Sequence, residues 1–284
     1  MISELTATGF PGLLPLITTS SGSPYLRFDD QYFILTRWVE GAHPDLTNAK
    51  QRQAIAQLYA RLHRTASKIS SVPEPDRPDW WTEYSRRTVF LKSLKRSIPL
   101  QKKINRTDRT ILSWVDHFHA QAEFAIQGLL ATEFACWSRL PAVSGFCHND
   151  PAPHNIIMER NWFLIDYELT RNDLFIREFV TLALRTLREN GWKGQVFKEL
   201  FESYVKEREI APEEARSLPY LLAFPHAFWR LCSQRFEEKL AWSEHQFASK
   251  MWQLATTEQA RLSFLNEVIP ELSDRLDCQR GGTL

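Results

Sequence analysis

Side chains able to do chemistry crowd one short stretch, GFCHNDPAPHNIIMERNWFLIDYELTRND (residues 145–173), among them His148, Asp150, Asn155, Asp166 and Glu168. Asp150 lies in a loop stiffened by Pro151 and Pro153, and such a carboxylate can take the proton of a substrate hydroxyl. Asn155, next to the apolar IIM, can offer a neutral carbonyl oxygen to a hard cation. Asp166 closes the apolar run FLID, where a carboxylate can hold Mg²⁺ against phosphate oxygens. A base, an amide ligand and an acid ligand are the parts a phosphoryl-transfer site needs, because its catalysis rests on positioning and charge neutralisation. Two other readings compete. Loop Asp and Asn residues commonly cap turns. His148, Asp150, His154 and Asp166 could instead ligate the zinc or manganese of a hydrolase, but no second histidine pair lies near and Asn155 would then be idle.

The elements that must position these residues can be outlined from periodicity. Residues 1–41 look β-rich, with strands at Tyr25–Phe28 and Gln31–Val39 around the turn residues Asp29 and Asp30. GFPGLLPLI, ahead of them, reads as a loop followed by a buried run. From Leu46 onward Ile55, Leu58, Tyr59 and Leu62 recur at helical spacing, with Thr47 as the N-cap. PEPDRPDW (residues 73–80) is a proline-rich loop, followed by helices over Trp81–Ser97 and Thr107–Ala131. The motif region then supplies a loop running into a short strand and a second short strand at NWFLID. Beyond Leu174 the pattern is helical, with breaks near Gly191, Pro212, Pro219 and Pro270. This is an α+β outline with a small β part and a large α part.

Composition narrows the function classes. A 284-residue chain with 43% hydrophobic and 12% aromatic residues can bury a core. A formal charge of +1 gives no global field for nucleic acid or membrane. The densest basic stretch, residues 86–109, reads as a solvated helical surface, with a wall for anions as the functional alternative. No run of about 18 apolar residues suggests a membrane span. Cys136, Cys147, Cys232 and Cys278 are scattered without a C-x-x-C pair, as in a reducing, cytoplasmic protein.

The string His148–Asn149–Asp150, then Asn155, then Ile165–Asp166–Tyr167–Glu168, resembles the catalytic and metal-binding core of the aminoglycoside phosphotransferase and choline kinase-like family. FPGLLPLI, FILTRWVEG, YARLHRTA and DYELTRNDLFIREF are most similar to its spore-coat kinase-like branch, over about Gly9 to Leu187. The resemblance implies a two-lobed protein kinase-like fold, with residues 1–41 a remnant of the β N-lobe and 42–284 a helical C-lobe. It implies ATP and Mg²⁺ as cofactors and a small hydroxylated acceptor. Asp150 would be the catalytic base, and Asn155 and Asp166 the metal ligands. LTRWVEG (residues 35–41) would be the hinge that meets adenine, through Leu35, Arg37 and Trp38. His148 would support the loop, and Glu168 and Asp173 match acidic positions after the metal aspartate.

Two departures from the family pattern stand out. Asn149 replaces the usual glycine, a mild change because asparagine tolerates left-handed backbone. More seriously, the first lysine is Lys50, beyond the hinge, whereas a kinase-like small lobe supplies a phosphate-gripping lysine and a glycine loop. Gly9 and Gly12 match the segment after that lobe's helix. The strands and helix that carry the cradle need about 40–50 residues. The expectation is either a recorded start internal to a longer frame or a shortened gene. In the second case the product is an impaired pseudokinase, a binding or spore-coat-associated protein with a partner on its exposed N-lobe face. Sugar, choline-like amine and peptide hydroxyls all stay open as acceptors.

Overall fold

The computed structural model describes residues 2–69 and 79–280; the proline-rich loop falls largely on residues 70–78, outside them. The chain divides into two compact units. One comprises Met1–Arg77, Leu140–Asn190 and Gln195–Ile210, the other Pro78–Arg139, Gly191–Gly194 and Ala211–Leu284.

The first unit opens with α1 (Ile2–Ala7), which buries Leu5 completely. A segment expected to be β-rich thus begins as a helix. Asp29 and Asp30 both adopt positive φ, 46° and 58°, the turn whose twist matches that of paired strands. They join β1 (Leu26–Phe28) to β2 (Gln31–Phe33) in antiparallel register, Leu26 opposite Phe33. The second strand ends at Phe33 rather than Val39. Beyond it the chain forms a strap in which Leu35 accepts a hydrogen bond from the Ile17 amide at 2.8 Å and Thr36 bridges Leu16. The hairpin exposes its aromatic side chains, Tyr32 at 65% and Phe28 at 63%.

α2 (Ala49–Ala66) buries Ile55, Leu58, Tyr59 and Leu62, the stripe read from the sequence. Its N-cap is Asn48 rather than Thr47. Asp45 engages both the amide and the hydroxyl of Thr47 at 2.7 Å, leaving the Asn48 carboxamide oxygen to accept from Lys50 and Gln51. Later in the unit, β3 (Ser144–Cys147) is followed by β4 (Ile156–Met158), β5 (Trp162–Leu164) and β6 (Arg171–Leu174). β3 pairs antiparallel with β6, and β4 with β5. α6 (Phe175–Glu189) starts directly from β6, and α7 (Gly194–Val205) follows a turn through Gly191. β3 packs between α2 and α6, so the chain entering the catalytic stretch leaves from the middle of the core.

The second unit is helical: α3 (Trp80–Ser97), α4 (Arg106–Ala131), α5 (Phe134–Trp137), α8 (Pro212–Ala223), α9 (His226–Phe236) and α10 (Glu244–Arg280). α3 and α8 pack on α4, and α10 packs on α8 and α9. The breaks expected at Pro219 and Pro270 do not occur, since both prolines lie inside helices. Pro219 forfeits one backbone hydrogen bond but is buried between the fully buried Leu218 and Leu221. The ring of Tyr220 covers Gly128 of α4 so closely that a Cβ there would collide with it. Among the described residues no helix is long and apolar enough to cross a membrane.

Candidate functional site

The first unit carries the site, and its geometry follows from two short connections. After β3 the chain turns through Asn149, whose φ of 65° is left-handed. The asparagine substitution is accommodated: its Nδ2 donates to the Cys147 carbonyl at 3.3 Å, and its Oδ1 accepts from Arg177 at 3.0 Å. A 3₁₀ turn at Pro153–Asn155 then leads into β4. The side chain of Asn155, 2% exposed, donates through Nδ2 to Asp150 Oδ2 at 2.9 Å and to the Asp150 carbonyl at 3.2 Å. This leaves the amide oxygen facing away from Asp150 and fixes the Asp150 carboxylate relative to β4.

Asp166 reaches the same place from the opposite strand. Ile156 stands opposite Leu164, and the ladder extends one residue further, Ile165 N–H donating to the Asn155 carbonyl at 2.9 Å. Asp166, the next residue, therefore emerges at the end of the β4–β5 hairpin that carries Asn155. It too has positive φ, 63°, a conformation that costs a non-glycine residue about 1–2 kcal/mol and persists where the surroundings enforce it. Its carboxylate is exposed and, among the described residues, makes no hydrogen bond or ion pair. Asp150, Asn155 and Asp166 are thus brought together. One amide oxygen and one unengaged carboxylate form a hard oxygen donor set, which suits Mg²⁺ and gives a soft-metal site no sulfur or imidazole.

The mounting beneath these residues was not legible in the sequence. Glu178 of α6, 1% exposed, accepts hydrogen bonds from the backbone amides of His148 (3.2 Å) and Asn149 and from His63 Nε2 (2.7 Å). Tyr204 hydrogen-bonds the other nitrogen of His63 at 2.7 Å. Burial lowers the pKa of His63, opposed by Glu178, so the ring is neutral and Tyr204 O–H donates to Nδ1. Burial, assisted by Glu178 and Asp173, pushes the Cys147 thiol up. The buried trio His63, Cys147 and Glu178 is therefore a hydrogen-bonded mount for the loop, with the thiol kept protonated.

His148 is fully buried, and its Nε2 donates to the Ile165 carbonyl at 2.8 Å. It pins the β5 exit to the catalytic loop, with its Nδ1 buried and making no hydrogen bond; His154 is exposed. Tyr167 completes the exit, donating to the Leu164 carbonyl at 2.6 Å and accepting from Leu14 N at 3.2 Å; burial pushes its hydroxyl up to about 12. Asp173 is fully buried against Arg171 (2.9 Å) and Arg177 (3.3 Å), whereas Glu168 is exposed. Arg185, seven residues after Glu178 on the same face of α6, donates from Nη2 to Asp150 Oδ1 at 3.0 Å. FIREFVTLALR carries the two at i and i+7, but Arg177 and Thr181 lie on the same stretch, so periodicity alone does not single the pair out.

The strap at residues 35–41 belongs to the same unit. Ala42 bridges Met158, whose amide donates to the Ala42 carbonyl at 2.8 Å. Gly41 lies so close to the Met158 carbonyl that a Cβ would collide with it. Val39 packs with Leu14 and Phe163, and the Arg37 guanidinium lies 5.3 Å from the Phe163 ring centroid. Leu35 and Trp38 project outward, 62% and 87% exposed. The Leu35 carbonyl is engaged by Ile17, whereas no backbone hydrogen bond involves Arg37 or Trp38 among the described residues. Gly12, read from sequence as lying outside any phosphate loop, uses its carbonyl to accept from Leu164 N at 2.8 Å.

Comparison with known proteins bears on the family and the fold. The sequence profile of a family described as "Phosphotransferase enzyme family" matches residues 2–219. An aminoglycoside phosphotransferase from Alicyclobacillus acidocaldarius superposes with a TM-score of 0.80 at 22% identity, covering 96% of this chain and 80% of that one. A spectinomycin phosphotransferase in complex with ADP and spectinomycin gives 0.61 at 12% identity, covering 93% and 80%. A choline/ethanolamine kinase family protein from Mesorhizobium loti gives 0.52 at 14%, covering 99% and 83%. At these identities the likeness is one of fold, and the fold is the α+β, kinase-like one with a reduced β part.

Proposed function

Because the chain belongs to the phosphotransferase enzyme family, we propose that it transfers the γ-phosphoryl group of ATP to a hydroxyl of a small molecule. In this reading Asp150 accepts the hydroxyl proton, the acceptor oxygen forms the new bond to the γ-phosphorus, and ADP leaves with the bridging oxygen and its electron pair. Asn155 and Asp166 would hold Mg²⁺, which supplies neutralisation of phosphate charge when bound. The strap from Leu35 to Gly41 would carry adenine, through the backbone of Arg37 and Trp38 and the side chain of Leu35. Residues 1–41 then form the N-lobe remnant and 42–284 the C-lobe. The observation that carries the proposal is the Asp150–Asn155 hydrogen bond at the mouth of the one hairpin that also ends in a left-handed Asp166. ADP in the spectinomycin phosphotransferase complex supports nucleotide as the donor.

A second reading is favoured by one observation, the aromatic side chains that the β1–β2 hairpin exposes. In it the chain binds nucleotide without turnover and acts as a binding or spore-coat-associated protein, its partner seated on the exposed aromatic hairpin. Thermal unfolding with and without Mg²⁺-ATP, on the wild type and Asp166→Asn, tests the site. At a hundred times the dissociation constant, ligand adds about 2.7 kcal/mol of stability. A shift that vanishes in Asp166→Asn supports the site, and absence of a shift refutes it. Radiolabelled transfer to a hydroxyl acceptor then separates the enzyme from the non-catalytic reading.

A further inference from the structure

The proposed chemistry leaves the acceptor side of Asp150 undefined, and α6 supplies its surroundings. Arg177, Thr181, Arg185 and Arg188 follow one another at spacings of four, four and three, a single face of the helix. That face is tied to the catalytic loop at two points. Arg177 Nη2 donates to Asn149 Oδ1, and Arg185 Nη2 to Asp150 Oδ1, both at 3.0 Å. Arg177 is further committed to the buried Asp173. Arg185 is not so committed: its side chain is 33% exposed, and the bond to Asp150 is its single hydrogen bond among the described residues. A guanidinium carries five N–H donors in a planar fork, so most of Arg185's capacity is unspent beside the proposed base. One turn on, Arg188 is exposed and forms no ion pair among the described residues.

The charge balance points one way. The carboxylates on this face or bonded to it are Asp173, held by Arg171 and Arg177; Glu178, buried under the loop; Glu189, beside Arg188 in sequence; and Asp150 itself, while the exposed Asp166 on the β4–β5 hairpin is assigned to Mg²⁺ in the proposed chemistry. A cationic acceptor would meet arginines where its ammonium group needs a carboxylate. An anion instead meets planar, weakly hydrated cations that bind carboxylate and phosphate through paired N–H donors. Building on the phosphotransferase reading, we propose that the acceptor is an anionic hydroxy compound, whose carboxylate or phosphate group docks on Arg185 and Arg188 and presents its hydroxyl to Asp150. Arg185 is then a specificity-determining residue that bridges base and substrate, and Arg188 is the outer half of the clamp.

Four probes of matched skeleton or size test this: glycerol, glycerate, glycerol 3-phosphate and choline, titrated calorimetrically without nucleotide into the full chain. Glycerate or glycerol 3-phosphate is expected to bind at least about ten-fold more tightly than glycerol, with choline weakest. The ranking of the two anions identifies carboxylate or phosphate as the docked group. Arg188→Ala should lower anion affinity about ten-fold and leave glycerol unchanged, while Arg188→Lys keeps part of the preference. In turnover, Arg188→Ala should raise KM for the anion and spare kcat. Equal affinities, a preference for choline, no binding of any probe, or an anion preference indifferent to Arg188→Ala would each overturn the proposal. The two readings fail separately. Transfer without anion preference sinks the acceptor assignment alone, whereas anion-selective binding with no transfer to any acceptor sinks the phosphotransferase reading.

Discussion

Replacing Glu178 tests the mount beneath the catalytic loop. Its carboxylate accepts from the amides of His148 and Asn149 and from His63 Nε2 while almost wholly removed from solvent. Glu178→Ala leaves three buried donors without their acceptor, each costing about 1–3 kcal/mol. Water entering the vacated space recovers part of this, so a loss of about 4 kcal/mol is expected, a large share of the 5–15 kcal/mol typical of a folded domain. Glu178→Gln should be milder. Its amide oxygen at the Oε1 position can accept from Asn149, and its NH₂ at the Oε2 position can donate to His63 if the ring moves its proton to Nδ1 and donates to Tyr204. The His148 amide, which meets that same Oε2 position, is then the one donor left without an acceptor, at about 1–3 kcal/mol. Urea unfolding at pH 7 and 25 °C measures both variants. A loss below about 1 kcal/mol for alanine, or a glutamine variant as unstable as alanine, would refute the hydrogen-bond account.

Three further expectations follow from the same unit. Burial lowers the pKa of His63 below its ordinary value of 6.5, so the unfolded chain binds the proton more readily. The neutral ring's contribution is therefore complete above pH 6.5 and declines as pH falls below it; unfolding measured from pH 8 to pH 5 should show the stability gap between wild type and His63→Asn narrowing toward acid, and a constant gap would contradict this. Gly41→Ala would force the strap away from the Met158 carbonyl, costing about 1–3 kcal/mol and weakening Mg²⁺-ATP binding more than Asp166-independent stability, as paired melts with and without nucleotide would show. Tyr167→Phe leaves the Leu164 carbonyl and Leu14 amide without their hydroxyl partner, an expected loss of about 1–3 kcal/mol in urea unfolding.

Much of the site was legible because its residues are close in sequence and their types are chemically restrictive. An aspartate, an asparagine five residues later and an aspartate ending an apolar strand have few alternative uses together, and the β4–β5 hairpin needed only local pairing to unite Asn155 with Asp166. The stripe of α2 was legible for the related reason that helical periodicity is local. Errors arose where tertiary contacts overrode local preference. Pro219 stays helical because Leu218 and Leu221 bury the turn around it, and Asn48 displaced Thr47 as cap because Asp45 claimed the threonine first.

By itself, then, the amino-acid sequence determined the identity and order of the chemical groups, the helical stripe and the tight hairpin turn, all set by neighbours within a few residues. Only the tertiary structure decided what holds and surrounds them. β3 and β6 pair across a long loop and are too short and polar in RNDL to show alternation. Glu178 under the loop, His63 behind it and Arg185 against Asp150 come from helices distant in the chain. Their partners are backbone amides and a carboxylate that no periodicity specifies, because burial and hydrogen-bond satisfaction become definite only when the helices pack.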